Sequence, residues 1–222
     1  MIVTIDGPSG TGKSTVARLL AKKLGFSFFD TGAMYRALSW WIHQEKIDVE
    51  DLKELTCRLK EFEFSIRELG DEKRYFVHSI DVTEEIRKKE INEAVSKISA
   101  IKEIRELLLP IQRKYAATHD SVFEGRDLGT VVFPNADVKF FLTATPEVRG
   151  KRRYLELLSK NPNSSLQLEE VIKSLQKRDE QDSSREIAPL KCPLDAWVLD
   201  TSGYSIDQVI EKLLQYTLTK KK

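Results

Sequence analysis

Eight residues near the start of the chain, Gly7-Pro8-Ser9-Gly10-Thr11-Gly12-Lys13-Ser14, follow the spacing G-x-x-x-x-G-K-[ST]. The chemistry of that pattern is a grip on a polyphosphate. Glycines let backbone N–H groups approach phosphate oxygens that bulkier side chains would hold away. A helix opening directly after the motif adds the positive end of its dipole. In such a P-loop Lys13 reaches the β- and γ-phosphates, and the Ser14 hydroxyl ligates Mg²⁺. The expected nucleotide-binding segment is Gly7 to Thr15, with Ser14 as the metal ligand. The motif alone names no acceptor, because kinases, GTPases and motor ATPases share it. The chain carries no guanine-reading N-K-x-D element, which argues against a GTPase switch.

Three further segments carry polar chemistry: Asp30–Arg36 (DTGAMYR), Glu124–Pro134 (EGRDLGTVVFP) and Arg178–Arg185 (RDEQDSSR). A phosphate monoester holds about two negative charges near neutral pH and suits the planar guanidinium fork. Arg36, Arg126 and Arg185 can supply such forks. Arg178, Asp182 and Arg185 stand at i, i+4 and i+7, on one face if the helix persists to Arg185; a solvated salt bridge is the competing reading of that trio. Arg149 and Arg153, also i, i+4, with Arg152 as a third candidate, can reach a transferring phosphoryl group, against the plainer reading of a solvated basic face. His43, His78 and His119 fall outside all these segments and are expected to be structural or superficial.

The elements that must hold these residues are readable from periodicity. Residues 2–6 form an apolar run ending in Asp6 and Gly7, as a buried parallel strand does. Lys13 to Leu24 places Val16, Leu20 and Leu24 on one stripe, and Gly25 is a stop. Phe26–Phe29 reads as a strand and Ala33 to about Glu45 as a helix. Phe28, Phe29, Trp40 and Trp41 are expected to pack in the core rather than stack on a ligand. Phe62–Arg67 and Tyr75–Val82 alternate about a Gly70-Asp71 turn, predicting an antiparallel hairpin. Charged helices follow from about Thr83 to Thr118, with Pro110 as a break or kink. Ser121–Glu124, Val138–Thr143 and Ala196–Leu199 are further strands. Helices are expected from Pro146 to about Leu158, from Leu168 to about Asp182, and from Ser205, as cap, to about Thr217. Asn161–Ser165 is a loop. Strands alternating with helices predict an α/β fold: a doubly wound, five-stranded parallel sheet flanked by helices. The hairpin and its helices are an insertion into it.

Composition excludes little beyond the extremes. The chain has 222 residues, a net charge of +1 and two cysteines. No run of about 18 apolar residues predicts a spanning helix, and the first residues do not read as a signal peptide. Cys57 and Cys192 fit no metal or redox spacing and are expected to be reduced, buried thiols. The expectation is a cytoplasmic monomer with neither nucleic-acid nor membrane partners. The final lysines, Lys220–Lys222, read as a frayed tail.

Taken together, the P-loop and the three polar segments resemble bacterial-type cytidylate kinases, from Ile2 to about Gln215. The resemblance implies a P-loop kinase domain over 1–222 and a monophosphate-binding insert at about 60–115; the run Arg149–Arg153, with the Asn161–Ser165 loop and Arg178, reads as a lid, at about 149–167, that closes over ATP. The resemblance also implies transfer of the γ-phosphoryl of ATP to CMP or dCMP, with Lys13, Arg126, Arg149 and Arg153 as catalytic residues. It assigns the acceptor phosphate to Arg36, Arg126 and Arg185, the ribose hydroxyls to Arg178 and Asp182, and the cytosine edge to Asp127, Ser96 and Arg105. Thr31 stands where the family often has Ser and keeps a hydroxyl for substrate; Glu124 stands where an Asp is also seen. A UMP/CMP or shikimate-type kinase, or a P-loop ATPase or nucleic-acid module using the basic lid, are the competing readings.

Overall fold

The computed structural model describes residues 1–69, 72–162 and 165–220. In chain order the elements are β1 (Ile2–Asp6), α1 (Lys13–Leu24), β2 (Ser27–Asp30), α2 (Thr31–Gln44), α3 (Leu52–Leu59), β3 (Phe64–Leu69), β4 (Glu72–Val77) and β5 (Ile80–Asp81). They continue with α4 (Lys89–Ile98), α5 (Lys102–Ala116), β6 (Ser121–Glu124), β7 (Val138–Thr143), α6 (Pro146–Lys160), α7 (Leu168–Ser184), β8 (Trp197–Asp200) and α8 (Ile206–Lys220). The expected Gly70-Asp71 turn, residues 163 and 164 of the Asn161–Ser165 loop, and Lys221 and Lys222 of the tail lie outside the described residues.

Contacts divide the chain into two compact units, residues 1–29 with 113–222, and residues 30–112. The larger unit is built on a five-stranded parallel sheet in the order β2-β6-β1-β7-β8. The pairing sets Ile5 opposite both Glu124 and Phe140. The carboxyl ends of the three central strands therefore lie side by side. From β1 the chain leaves for the β2 edge, whereas β7 and β8 lie on the other side. Open sheets bind ligands outside the strand ends at such a reversal. Val3, Ile5, Val122, Phe140 and Leu142 of the sheet share one core with Val16, Ala17 and Leu20 of α1 and Val209, Ile210 and Leu213 of α8. Thr145 caps α6 with Pro146 in its first turn. Ser205 and Gln208 cap the start of α8 reciprocally, each side chain accepting the other's amide.

The second unit holds α2, α3, α4, most of α5 and the antiparallel sheet β3-β4-β5. The unit begins at residue 30, so that it takes in α2 and α3, and ends at residue 112. Trp41 packs on Phe62, with ring centroids 5.5 Å apart, and Phe62, Phe64 and Tyr75 continue the aromatic row. Trp40, Trp41, Phe28 and Phe29 are buried, as expected of core aromatics.

Several local expectations are corrected. The second hairpin strand ends at Val77, and Ile80–Asp81 pairs back onto β4 as a third strand. The helical stretch is a 3₁₀ turn at Glu85–Arg87 followed by two helices. α5 runs through Pro110; Pro110 and Glu106, whose carbonyl the proline leaves without its helical donor, both lie on the exposed face, where water can serve it. Two features were not anticipated: α3, capped by the Asp51 carboxylate, and a turn of π-helical geometry at Leu128–Val132. Cys57 and Cys192 are free but exposed, not buried. His43, His78 and His119 are exposed.

Candidate active site

The P-loop leaves β1 at Asp6 and delivers Lys13 to the first position of α1. Gly10 adopts φ +77, and a Cβ there would lie 3.1 Å from both the Cβ and the carbonyl oxygen of Arg149. Only glycine lets the loop rest on α6 in this way. Lys13 is buried, and its Nζ donates to the Pro8 carbonyl at 2.6 Å. It lies 3.9 Å from Glu124 Oε1. Burial and the nearby Arg126 push the Lys13 ammonium down to about 7, while Glu124, Asp179 and Asp6 pull it upward. The Ser14 hydroxyl donates to Glu124 Oε2 at 2.9 Å. Two hard oxygen donors at the mouth of the loop fit Mg²⁺, which takes few protein ligands and keeps water and phosphate oxygens. Among the described residues no group of three or more His, Cys, Asp or Glu gathers to hold a metal by itself; an ion held largely by ATP and water needs none.

Arg126 joins three of the expected segments. Its Nε donates to Asp182 Oδ2 at 3.1 Å, and one Nη donates to the Ser9 hydroxyl at 3.0 Å. The other Nη donates to the Gly125 carbonyl and lies 3.6 Å from Glu124 Oε1. Burial alone would lower its pKa, but Asp182, Glu124 and Asp179 hold it above the ordinary arginine value. Arg185 donates from Nη2 to Asp127 Oδ1 at 3.2 Å and from Nε to the Ala188 carbonyl at 2.6 Å. It does not reach the site along the helical face that its spacing suggested. α7 ends at Ser184, and Arg185 is in extended backbone with φ −62 and ψ 140. Arg178 and Asp182 remain on α7, the first half-buried and the second buried.

The basic residues of α6 differ in what they touch. Arg149 is buried, donates to the Ser9 carbonyl at 3.0 Å and pairs with Asp179. Asp179 in turn accepts the Ser9 amide at 2.9 Å, so the tip of the P-loop is held between α6 and α7. Arg152 bonds to the Thr11 carbonyl and to both oxygens of Thr201. Arg153 pairs along its own helix with Glu156 at 2.7 Å.

In the second unit, Asp30 caps α2 by accepting the Ala33 amide at 2.8 Å, and its other oxygen meets Arg36 at 3.2 Å. Thr31 is buried in the first turn of the same helix. Ser96 on α4 and Arg105 on α5 are both buried. They converge on Ser99, whose hydroxyl donates to the Ser96 carbonyl at 3.1 Å and whose carbonyl accepts from Arg105 at 3.0 Å. The Arg105 guanidinium lies 5.5 Å from the centroid of the Tyr35 ring, within cation–π range.

Two residues escaped the sequence reading of the site. Asp179 sits within the RDEQDSSR segment, yet nothing in its spacing marks it as a partner of the P-loop. Asp6 has a visible signal, an acid closing an otherwise apolar strand, but its partners are far away in the sequence. Its carboxylate accepts the amides of Leu128 at 3.0 Å and Gly129 at 2.8 Å.

Comparison with known proteins bears on the family of the whole chain. A profile of the cytidylate kinase family matches residues 3–219. A cytidylate kinase of Protochlamydia amoebophila is 52% identical over 223 residues, spanning 100% of this chain and 98% of the relative. One from Fusobacterium nucleatum is 45% identical over 210 residues, spanning 95% of this chain and 94% of the relative. The solved structure of an uncharacterized protein from Eubacterium ventriosum is similar at TM-score 0.52 and 10% identity, covering 99% of this chain and 98% of that one, a likeness of fold alone. With a family match running from the central strand that carries the P-loop to the closing helix, the chain belongs to the cytidylate kinase family.

Proposed function

We propose that the chain transfers the γ-phosphoryl of ATP to CMP or dCMP, releasing ADP and CDP or dCDP. The observation that carries this reading is Arg126, whose one guanidinium bonds the P-loop at Ser9 and the acceptor-side carboxylate Asp182. A residue so placed serves donor and acceptor at once. An oxygen of the acceptor phosphate attacks the γ-phosphorus, and the bond from that phosphorus to the β,γ-bridging oxygen breaks. The attacking oxygen is already ionised, so no general base is required, and catalysis is positioning and charge neutralisation. Lys13, Arg126 and Arg149 supply the charge, and Arg153 joins them from the lid at 149–167. Ser14, with Glu124 beside it, would hold Mg²⁺, which supplies further neutralisation of the phosphates when bound.

On the acceptor side, Arg36, Arg126 and Arg185 bind the monophosphate, Thr31 adds a hydroxyl, and Arg178 and Asp182 take the ribose. The insert at 60–115 contributes Ser96 and Arg105 to the cytosine edge. Asp127 accepts from the cytosine amino group. Uracil would offer it a carbonyl, an acceptor facing an acceptor, and a site built on such a bond rejects the wrong base by up to about 10⁴. The reading places the enzyme in the cytoplasm as a monomer acting on small nucleotides; among the described residues no helix is long and apolar enough to cross a membrane.

The test is release of ADP from Mg-ATP with CMP, dCMP, UMP, AMP, GMP or shikimate, and with no acceptor. Release dependent on CMP or dCMP is expected. Release only with another acceptor overturns the base assignment, and release with none favours an ATPase.

A further inference from the structure

The segment Gly125–Pro134 carries Arg126 and Asp127, and its regular structure is the short π-helical turn at Leu128–Val132. Asp6 is what fastens its middle. The residue is fully buried at the end of β1, one position before the P-loop. Its two carboxylate oxygens divide between two consecutive amides, Oδ1 taking Leu128 and Oδ2 taking Gly129. These are the first N–H groups of the turn at Leu128–Val132, donors that such a turn leaves unsatisfied. Lys139 on β7 fastens the far end, donating to the Pro134 carbonyl at 2.5 Å while paired with Asp195. Arg113 holds the carbonyls of Val131 and Val132 from outside. Gly129 leaves no room for slack, since a Cβ there would stand 2.8 Å from Pro193 Cγ, 3.2 Å from Lys139 Cδ and 3.4 Å from Asp6 Oδ2.

We propose that Asp6 is a positioning residue for the acceptor: its carboxylate sets the height and angle at which Asp127 and Arg126 are presented, and it ties that presentation to the strand from which the donor loop springs. Asp6 touches neither substrate. It acts through the two amides next to Asp127, so its loss misplaces the base reader before it disturbs the phosphate grip. A shift of about 1 Å at such a support is enough to lose much of an interaction. The naming of CMP as the acceptor rests on the function proposed above; the fastening itself does not.

The test is Asp6→Asn, which keeps the shape but turns an amide N–H₂ towards one of the two backbone donors. Hydrogen exchange at the Leu128 and Gly129 amides is expected to accelerate about tenfold or more, with the β1 amides unchanged. KM for CMP is expected to rise about tenfold, KM for ATP to stay within about threefold, and the UMP-to-CMP ratio of kcat/KM to rise. Unchanged exchange overturns the proposal, as do KM values for ATP and CMP that rise together at a fixed UMP-to-CMP ratio. If Asp6→Asn does not fold, Gly129→Ala, which wedges the turn off the carboxylate, carries the same expectations and the same refutations. If the unaltered enzyme does not phosphorylate CMP, the substrate reading falls, and exchange at the two amides still decides the fastening.

Discussion

Arg126 spends every nitrogen of its guanidinium on a different part of the site: Nε on Asp182, one Nη on Ser9, the other on Gly125. A lysine carries its three donors on one nitrogen, so it cannot span partners set as far apart as those the planar guanidinium fork reaches. Arg126→Lys is therefore expected to lower kcat/KM for CMP by about 10²-fold or more with little change in thermal stability, measured by initial rates and a melting curve. The arginines of α6 separate in the same way. Arg149 is buried against the P-loop carbonyl of Ser9, whereas Arg153 pairs on its own helix with Glu156. Arg149→Ala is expected to cost both stability and KM for ATP, because it leaves Asp179 facing the loop without its charge partner. Arg153→Ala is expected to lower kcat with the melting temperature unchanged; an unchanged kcat would remove Arg153 from the reaction. These roles were only partly legible in the sequence. The arginines were visible as charges at helical spacing, but spacing cannot tell a residue turned into a loop from one paired along its helix. Arg185 shows the limit: its i+7 spacing suggested a helical face, and the helix stops one residue short of it.

At the scale of elements, the join of β1 to the turn at Leu128–Val132 carries a cost. Burial pushes the Asp6 carboxyl up to about 7, with the two amide bonds and Lys13 pulling it back and Asp127 adding to the rise. Cys192 is also close enough to feel the charge of Asp6. Because the folded value exceeds the ordinary 3.8, the fold binds a proton that the unfolded chain has released. The stabilisation this provides is full below about pH 4 and is lost as pH rises through about 7. The ionised carboxylate that grips both amides is thus the less stable form. Unfolding free energy measured from pH 5 to 8 should fall more steeply with pH in the unaltered enzyme than in Asp6→Asn. Equal slopes would contradict the assigned protonation. KM for CMP should rise in the unaltered enzyme as pH falls below about 7, and stay flatter in the variant.

The same scale shows which elements could be read in advance. β1 is a short apolar run and α1 has one clean stripe, so local pattern found both. α3 was missed because only Leu55 and Leu59 of its eight residues are buried, leaving a charged stretch with one i, i+4 pair. The turn at Leu128–Val132 was missed because the carboxylate that accepts its first two amides, Asp6, stands more than a hundred residues away in the chain. The third strand, Ile80–Asp81, is two exposed residues long, too short for alternation to register.

For the molecule as a whole, the candidate site residues are shared between the two units. The larger unit holds the P-loop and Arg126, Asp127, Arg149 and Arg185; the second holds Arg36, Ser96 and Arg105. Stability and chemistry should therefore be separable by mutation. Leu20, fully buried between α1 and the sheet, belongs to the core alone. Leu20→Ala should cost about 2–5 kcal/mol of stability and leave the KM values of the folded enzyme unchanged at a temperature below its melting point. Ser96 and Arg105 are the counterpart in the second unit: on the sequence they are ordinary helix residues, and only the family resemblance singled them out. Their burial and their shared attachment to Ser99 are properties of the fold that no local pattern encodes.

The measurement that bears most directly on the account is a competition: CMP and UMP at equal concentration in one reaction with Mg-ATP, with CDP and UDP resolved over time. The ratio of their initial rates is the ratio of kcat/KM. CDP is expected to form about 10²-fold faster or more, with the preference reduced in Asp127→Asn. Equal rates for the two nucleotides would contradict the reading of Asp127 as the residue that recognises cytosine.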